Sequence, residues 1–386
     1  ISSALELARE INQKVILSHT FKIDASDLLP ILTHPADRHS TRIYLEKPST
    51  GFSMAGMGTT ISIDFKGNID TFNKEIADIK NRMVYEEGQD CPPPSFLGGY
   101  AFNPKIESDE TWKNFPRGRF ILPECLATQN DDGTWLTIST LVNKNDNALK
   151  VLKRFINLCI HYENRMPVTL PPITSVPVDK FKDVPNHENY AETVNLILEK
   201  LKPGQIEKVV LSRSHHVKIG KSFSAVSSMQ VLRNAYPKCM SFFFSFPNEG
   251  IFFGSTPERL IRLNEAEIET EALAGTISRG KNMEEDRLLA NKLRGSHKEC
   301  EEHRFVLEQI LRKLDPITSQ MENGEYPEIL KLKNVQHLKT PIFGKLKSKR
   351  HILELVNQLH PTPAVAGTPT NDALKIIQEL EHHDRG

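Results

Sequence analysis

The segment Glu207-Lys208-Val209-Val210-Leu211-Ser212-Arg213 is rich in β-branched residues and predicts a buried strand with one lysine near its start. A lysine in an apolar strand is usually a surface residue whose stem packs on apolar neighbours while its amine reaches water. Downstream, Phe252-Phe253-Gly254-Ser255-Thr256-Pro257-Glu258 places a carboxyl at the end of a second apolar strand, where burial would raise its pKa and keep it protonated. Lys208 and Glu258 are therefore candidates for a catalytic base and acid.

Composition excludes several classes of function. The chain has 386 residues, and its 49 basic and 49 acidic side chains give a formal net charge of zero. This balance provides no general attraction to nucleic acid or to a membrane surface, so neither is an expected partner. The five cysteines are scattered without a CxxC pair, which argues against disulfides or a zinc site. Without a membrane-length apolar run or a signal-peptide pattern, we expect a cytoplasmic protein with no obligate partner chain.

Proline divides the sequence into two halves. Residues 166–178 contain four prolines and no charged residue, which is typical of a linker. We therefore predict an N-terminal α+β half over 1–165, a Pro-rich linker over 166–178 and a catalytic half over 179–386. A helix over about 148–162 ends the first half, and its predicted apolar face comprises Leu149, Leu152, Ile156 and Cys159.

A helix after His297 carries another candidate. Glu302 shares a helical face with Phe305, Val306 and Ile310, because positions three, four and eight apart lie on one side. An inward-facing carboxylate there is either part of a buried ion pair with a Lys or Arg, or a ligand for a hard cation such as Mg²⁺. The adjacent His303 is expected to face elsewhere, either at the helix surface or as a residue that supports those binding the ligand.

Two glycine-containing segments have weaker signals. Leu273-Ala274-Gly275-Thr276 follows a strand and predicts a turn, although its glycine could let backbone amides approach a ligand. The segment 360–369, His-Pro-Thr-Pro-Ala-Val-Ala-Gly-Thr-Pro, predicts a rigid loop shaped around a bound molecule.

Taken in order, several segments resemble the chorismate-utilising enzymes, and among them the isochorismate synthases. They are KVVLSR, GSTPERL, ALAGT, the Glu302-His303 helix, QHLKTP, HPTPAVAG and the closing His383-Asp384-Arg385-Gly386. In the first half, Phe96-Leu97-Gly98-Gly99-Tyr100-Ala101-Phe102 and the region 112–123 resemble the menaquinone-pathway synthases more than the siderophore-pathway ones. The resemblance implies an α+β fold in which two large, mostly antiparallel β-sheets pack together with helices outside.

The resemblance also implies roles for individual residues. Lys208 would be the general base for water attacking C2 of chorismate, and Glu258 the general acid that protonates the departing C4 hydroxyl. Glu302 would help to hold Mg²⁺, the expected cofactor, against the ring carboxylate of the substrate. Positions that would line the substrate pocket are Leu273, Ala274, Gly275, Thr276, His337, Ala364 and Gly367.

Related enzymes differ from this chain at particular positions. By resemblance, anthranilate synthases have glutamine in place of Lys208 and aminodeoxychorismate synthases have lysine in place of Ala274, so both activities are disfavoured. Salicylate synthases share the lysine but tend to have threonine in place of Ala364, and the alanine favours release of isochorismate over elimination of pyruvate. A salicylate synthase and a non-catalytic, chorismate-binding regulatory protein remain alternatives.

Members of the family continue beyond the Asp-Arg-Gly motif. Their further strands and final helix supply an arginine for the enolpyruvyl carboxylate and additional glutamates for the metal. Since this chain ends at Gly386 and Glu302 alone cannot surround Mg²⁺, we expect the sequence to be incomplete.

Overall fold

The computed structural model divides the chain into two compact units. The residues described are 1–33, 40–65, 67–86, 88, 91–163, 169–173, 178–201, 206–219 and 223–386. Unit 1 comprises Ile1–Ser175 and Ser222–Pro257, and unit 2 comprises Val176–Lys221 and Glu258–Gly386. The chain therefore returns to unit 1 once, whereas the sequence analysis places a single boundary at 166–178. Residues 166–168 and 174–177 of that predicted linker lie outside the described residues.

The described parts of the chain contain helices interspersed with runs of strands. The helices are α1 (Ser2–Glu10), α2 (Ile69–Asn81), α3 (Ala148–Glu163), α4 (His187–Lys200), α5 (Ala225–Ala235), α6 (Met283–Gly295), α7 (His297–Leu314), α8 (Ile352–Leu359) and α9 (Thr370–Leu380). The strands are β1 (Val15–Ile23), β2 (Arg42–Lys47), β3 (Phe52–Met57), β4 (Ile61–Asp64), β5 (Met83–Val84), β6 (Leu97–Tyr100), β7 (Gly118–Leu122), β8 (Cys125–Asn130), β9 (Gly133–Val142), β10 (Val178–Val184), β11 (Lys208–Val209), β12 (Ser214–Ile219), β13 (Met240–Phe246), β14 (Gly250–Thr256), β15 (Arg262–Asn264), β16 (Glu267–Ser278), β17 (Thr318–Asn323), β18 (Glu328–Lys331), β19 (Val335–Leu346) and β20 (Gly367–Thr368). The predicted α+β class is confirmed. No helix among the described residues has the length and apolarity needed to cross a membrane.

Unit 1 is built on an eight-stranded sheet in the order β14-β13-β2-β3-β8-β9-β1-β5, in which only the β1–β5 pair is parallel. Residues of β13 and α5 pack in an apolar cluster with residues of the first strands of this sheet, which places this later part of the chain in unit 1. Phe243 of β13 lies opposite Tyr44 of β2, and both side chains are fully buried in one cluster with Met229 of α5. Burying these large side chains is the main free-energy gain that holds β13, β14 and α5 to the first strands.

Helix α3 buries a different face from the predicted one. Leu149, Leu152 and Ile156 are exposed, whereas Cys159 packs inward as predicted. The inward residues are Val151, Phe155, Leu158, Cys159 and Tyr162. The helix has two apolar stripes, and its periodicity alone could not decide which of them packs against the sheet.

Unit 2 is built on a five-stranded antiparallel sheet. Strands β15, β16 and β19 follow one another, and β17 and β18 both pair with β19. Helix α7 packs on this sheet through Val306, Ile310 and Leu314, which share an apolar cluster with Ile268 and Ile342. The two-residue strands β11 and β20 pair with each other. Strands β10 and β12 form a separate two-stranded sheet.

Ile310 provides a test of this packing. Replacing Ile310, which is 3% exposed, by alanine should lower the free energy of unfolding by about 2–5 kcal/mol, because it removes buried methyl groups and leaves a cavity. The matched control is Leu288→Ala on α6, whose side chain is 59% exposed and whose loss should change stability by less than about 0.5 kcal/mol. Urea unfolding followed by circular dichroism measures both values, and equal losses would contradict the packing of α7.

Candidate active site

Lys208 is positioned by the pairing of β11 with β20. Lys208 lies opposite Thr368, and Val210 N donates to Ala366 O at 2.9 Å just beyond the pair. The strand predicted over 207–213 is thus limited to Lys208 and Val209. Its continuation binds side chains instead, since Ser212 N donates to Glu381 Oε1 at 2.6 Å.

Gly367 allows these two strands to approach closely. Its φ of +138° lies in a region that favours glycine, and an added Cβ would lie 2.2 Å from the carbonyl oxygen of Lys208. Any side chain at 367 would therefore push β20 away from the backbone of Lys208.

The amine of Lys208 is paired with the carboxylate of Glu302. Lys208 Nζ donates to Glu302 Oε1 at 2.9 Å, and the lysine side chain is only 14% exposed. Most lysines in apolar strands reach solvent with their amine, but the side chain of Lys208 is mostly buried. The ion pair predicted as one alternative for Glu302 is present in the structure.

Glu258 is a partly buried carboxyl held by a threonine. Thr362 Oγ1 donates to Glu258 Oε1 at 3.2 Å. Burial raises the pKa of Glu258 and the negative charge of Glu271 adds to this, whereas the Thr362 hydrogen bond and the positive charge of Lys208 lower it. The net shift of the Glu258 pKa is upward, the direction that the sequence predicts.

His303 is buried, so of its two predicted positions the one at the helix surface is wrong. The inward stripe of α7 begins at His303, which is 4% exposed, and continues with Val306, so Glu302 lies beside the stripe rather than within it. His303 Nδ1 lies 3.3 Å from Ala274 O and Nε2 lies 2.8 Å from Thr340 Oγ1. A carbonyl oxygen only accepts, so Nδ1 donates and the neutral ring accepts from Thr340. Burial lowers the pKa of His303, which favours this neutral form.

The segment Leu273–Thr276 lies within β16, so the predicted turn is wrong. The pairing of β16 with β19 shifts by one residue between Ala274 and Thr276, and Gly275 occupies this β-bulge with a φ of +78°. The bulge directs Thr276 N to Glu299 Oε2 at 2.9 Å and places Thr276 Oγ1 3.0 Å from His337 Nδ1. Burial lowers the pKa of His337.

All the residues that the resemblance assigns to the site lie in unit 2. Lys208 contacts Glu302 directly, and Glu258 interacts with Lys208 through its charge. Gly367 pairs with the strand of Lys208, and Ala364 packs against the apolar cluster that contains Ala274. Leu273 is a buried neighbour of Ala274 on β16.

Sequence reasoning missed three residues that shape this arrangement. Thr362 lies in the proline-rich loop singled out from the sequence, and Glu299 precedes Glu302 by one helical turn, so both could have been found from spacing. For Arg385 the only indication in the sequence was its place in the closing His-Asp-Arg-Gly motif. Its guanidinium joins two segments of the site by donating to Val365 O at 2.7 Å and to Val210 O at 2.6 Å.

A sequence profile described as "Chorismate binding enzyme" matches residues 3–386. The chain belongs to this family. The family resemblance predicted from the motifs is thereby confirmed.

Relatives and solved structures agree with the family. The chain is 27% identical to an isochorismate synthase, MenF, of Bacillus subtilis, with 99% of this chain and 82% of the relative covered. It is also 27% identical to a salicylate biosynthesis isochorismate synthase of Pseudomonas aeruginosa, with 99% and 79% covered. The solved menaquinone-specific isochorismate synthase MenF of Escherichia coli has the same fold, with a TM-score of 0.78, 22% identity and coverage of 100% of this chain and 84% of that one.

Thr362 tests the electrostatics of Glu258. Thr362→Val should raise the pKa of Glu258 further. The hydrogen bond from Thr362 stabilises the charged carboxylate, and valine cannot make it. Thr362→Ser keeps the hydroxyl and should leave the pKa of Glu258 nearly unchanged. Carbon-13 NMR titration of labelled glutamate carboxyls measures both variants, and a fall of the Glu258 pKa in Thr362→Val would contradict the geometry.

Proposed function

We propose that the protein is an isochorismate synthase that converts chorismate to isochorismate for menaquinone biosynthesis. The observation that carries the proposal is that Lys208 and Glu258 lie beside one short segment of the chain: Lys208 pairs with Thr368 of β20, and Thr362 in the preceding loop donates to Glu258. The names of the relatives that match nearly the whole chain support the same reaction.

The reaction adds one water and releases one. Water attacks C2 of chorismate and gives a proton to Lys208, the ring double bonds shift, and the C4 hydroxyl leaves as water after it takes the proton of Glu258. Product and substrate therefore have the same composition, and the enzyme is an isomerase. The raised pKa of Glu258 suits an acid that must stay protonated until the leaving group departs.

Lys208 can act as a base only as a neutral amine, because an ammonium has no free lone pair. Separation of the Lys208–Glu302 pair would make both groups available, the amine to water and the carboxylate to a cation.

Glu302 is the carboxylate that fits a Mg²⁺ ion in this proposal. The described residues contain no group of three or more His, Cys, Asp or Glu side chains arranged around a metal. Mg²⁺ commonly keeps several waters and binds through one or two carboxylates together with the substrate, a pattern that Glu302 can join. When bound, Mg²⁺ would offset the negative charge of the substrate carboxylate.

The five cysteines, all among the described residues, form no disulfide with one another, which supports the cytoplasmic location expected from the sequence.

Lys208→Ala and Glu258→Gln should each lower kcat by about a hundred to ten-thousand-fold, because each removes one proton-transfer group. Lys218→Ala, a change of an exposed lysine on β12, is the matched control and should retain activity. Purified protein is mixed with chorismate and Mg²⁺, and products are separated by chromatography. Isochorismate supports the proposal, salicylate with pyruvate would identify the lyase instead, and binding without turnover would identify a regulatory protein.

The metal role of Glu302 has its own test. Glu302→Gln should raise the Mg²⁺ concentration needed for half-maximal turnover, because a neutral amide is a weaker ligand for a hard cation. Glu301→Gln changes a more exposed neighbour on the same helix and should leave the Mg²⁺ dependence unchanged. Isothermal titration with Mg²⁺ and chorismate checks binding separately from turnover, and an identical Mg²⁺ dependence in both variants would contradict the assignment.

A further inference from the structure

Glu271 is a buried acid close to Glu258 to which neither the motifs nor the proposed reaction assigns a role. It lies on β16, opposite Pro341 of β19, and is 8% exposed. A carboxylate at this depth requires partners for both oxygens, because an unpaired buried charge is strongly destabilising.

Both oxygens of Glu271 have partners. Oε2 lies 2.7 Å from Lys339 Nζ, and Oε1 accepts from the backbone N–H of Arg259 at 3.1 Å. Arg259 directly follows Glu258. The neighbouring Thr270 donates from Oγ1 to Leu260 O at 2.7 Å, so two successive side chains of β16 hold the backbone that carries the catalytic acid.

We propose that Glu271, paired with Lys339, is a positioning residue that fixes the Glu258 carboxyl for proton donation by anchoring the backbone of Arg259. This inference rests on the proposed function, in which Glu258 is the acid. Lys339 holds the carboxylate of Glu271 in place, and Glu271 in turn limits the movement of the residue that must meet the leaving oxygen.

Charge strengthens the same arrangement. Groups that act on Glu258 include Lys208 from β11, Thr362 from the loop before β20 and Glu271 from β16. Of these, Glu271 opposes ionisation of Glu258, because a second negative charge nearby is unfavourable, and its effect raises the pKa of Glu258. The anchor therefore also helps the acid to retain its proton.

Two substitutions separate anchoring from charge. Glu271→Leu removes both, and should lower kcat about a hundredfold with little change in KM, because a misplaced acid slows proton transfer. Glu271→Gln keeps an oxygen that can accept from Arg259 N but removes the charge. It should retain most of kcat at low pH, while the alkaline fall in activity moves to lower pH, because Glu258 then loses its proton more readily.

Lys339 and Glu267 supply the remaining comparisons. Glu271→Gln leaves Lys339 without its partner, so the double variant Glu271→Gln/Lys339→Met is included and should show the same direction of pH shift. Glu267→Gln removes a different, exposed acid from the same strand and should keep the kcat and the pH profile of the parent. Thermal unfolding confirms that each variant is folded before its kinetics are interpreted.

Carbon-13 NMR titration of Glu258 gives a readout that needs no turnover. If the parent does not convert chorismate, the proposed function fails, whereas a lower Glu258 pKa in Glu271→Gln would still show the link between the two acids. A folded Glu271→Leu variant with the parent's kcat would overturn the inference. If Glu271→Leu does not fold, an unchanged pH profile and an unchanged Glu258 pKa in Glu271→Gln overturn it.

Discussion

The candidate site depends on the backbone contact between Lys208 and Gly367. Two residues on each side form this pairing, and there is no room for a Cβ at 367 because the carbonyl oxygen of Lys208 occupies that space. Strands this short have little stability of their own. Arg385 and Glu381 hold the chain just beyond β11 through hydrogen bonds to Val210 and Ser212, so Lys208 is fixed by residues distant in sequence.

Once Lys208 is fixed, its charge must be balanced. Glu302 provides this balance from α7, and α7 is itself held to the sheet by His303 through Ala274 and Thr340. The ion pair suits a site that awaits its substrate, since a partly buried ammonium without a partner would be unfavourable. In the proposed reaction Lys208 accepts a proton, which requires its neutral form, because only a neutral amine has a free lone pair.

Local patterns predicted much of the fold. Helix α7 and the strand preceding Glu258 follow from periodicity and β-branched content, and the structure contains both. The errors occur where long-range packing decides between local alternatives. Helix α3 has two apolar stripes and buries the one facing its sheet, and Ala274-Gly275-Thr276 has turn composition but forms a bulge because β19 pairs on both sides of it.

The same limit applies to the site. Motifs identified Lys208, Glu258 and Glu302, because their residue types in that order carry chemical meaning. Glu271 has no such motif, since an acid in a strand of alternating residues is commonly a solvent-facing side chain. Only the tertiary structure shows that its oxygens bind Arg259 N and Lys339 Nζ.

Opposing effects act on the pKa of Glu258. Thr362 donates a hydrogen bond that favours the carboxylate, yet burial and the charge of Glu271 outweigh it and the pKa of Glu258 rises. The two influences serve different needs. The hydrogen bond limits the rotation of the carboxyl, and burial favours its protonated form. A carboxyl held only by hydrogen bonds would be well oriented but ionised near neutral pH, and it could not act as the acid.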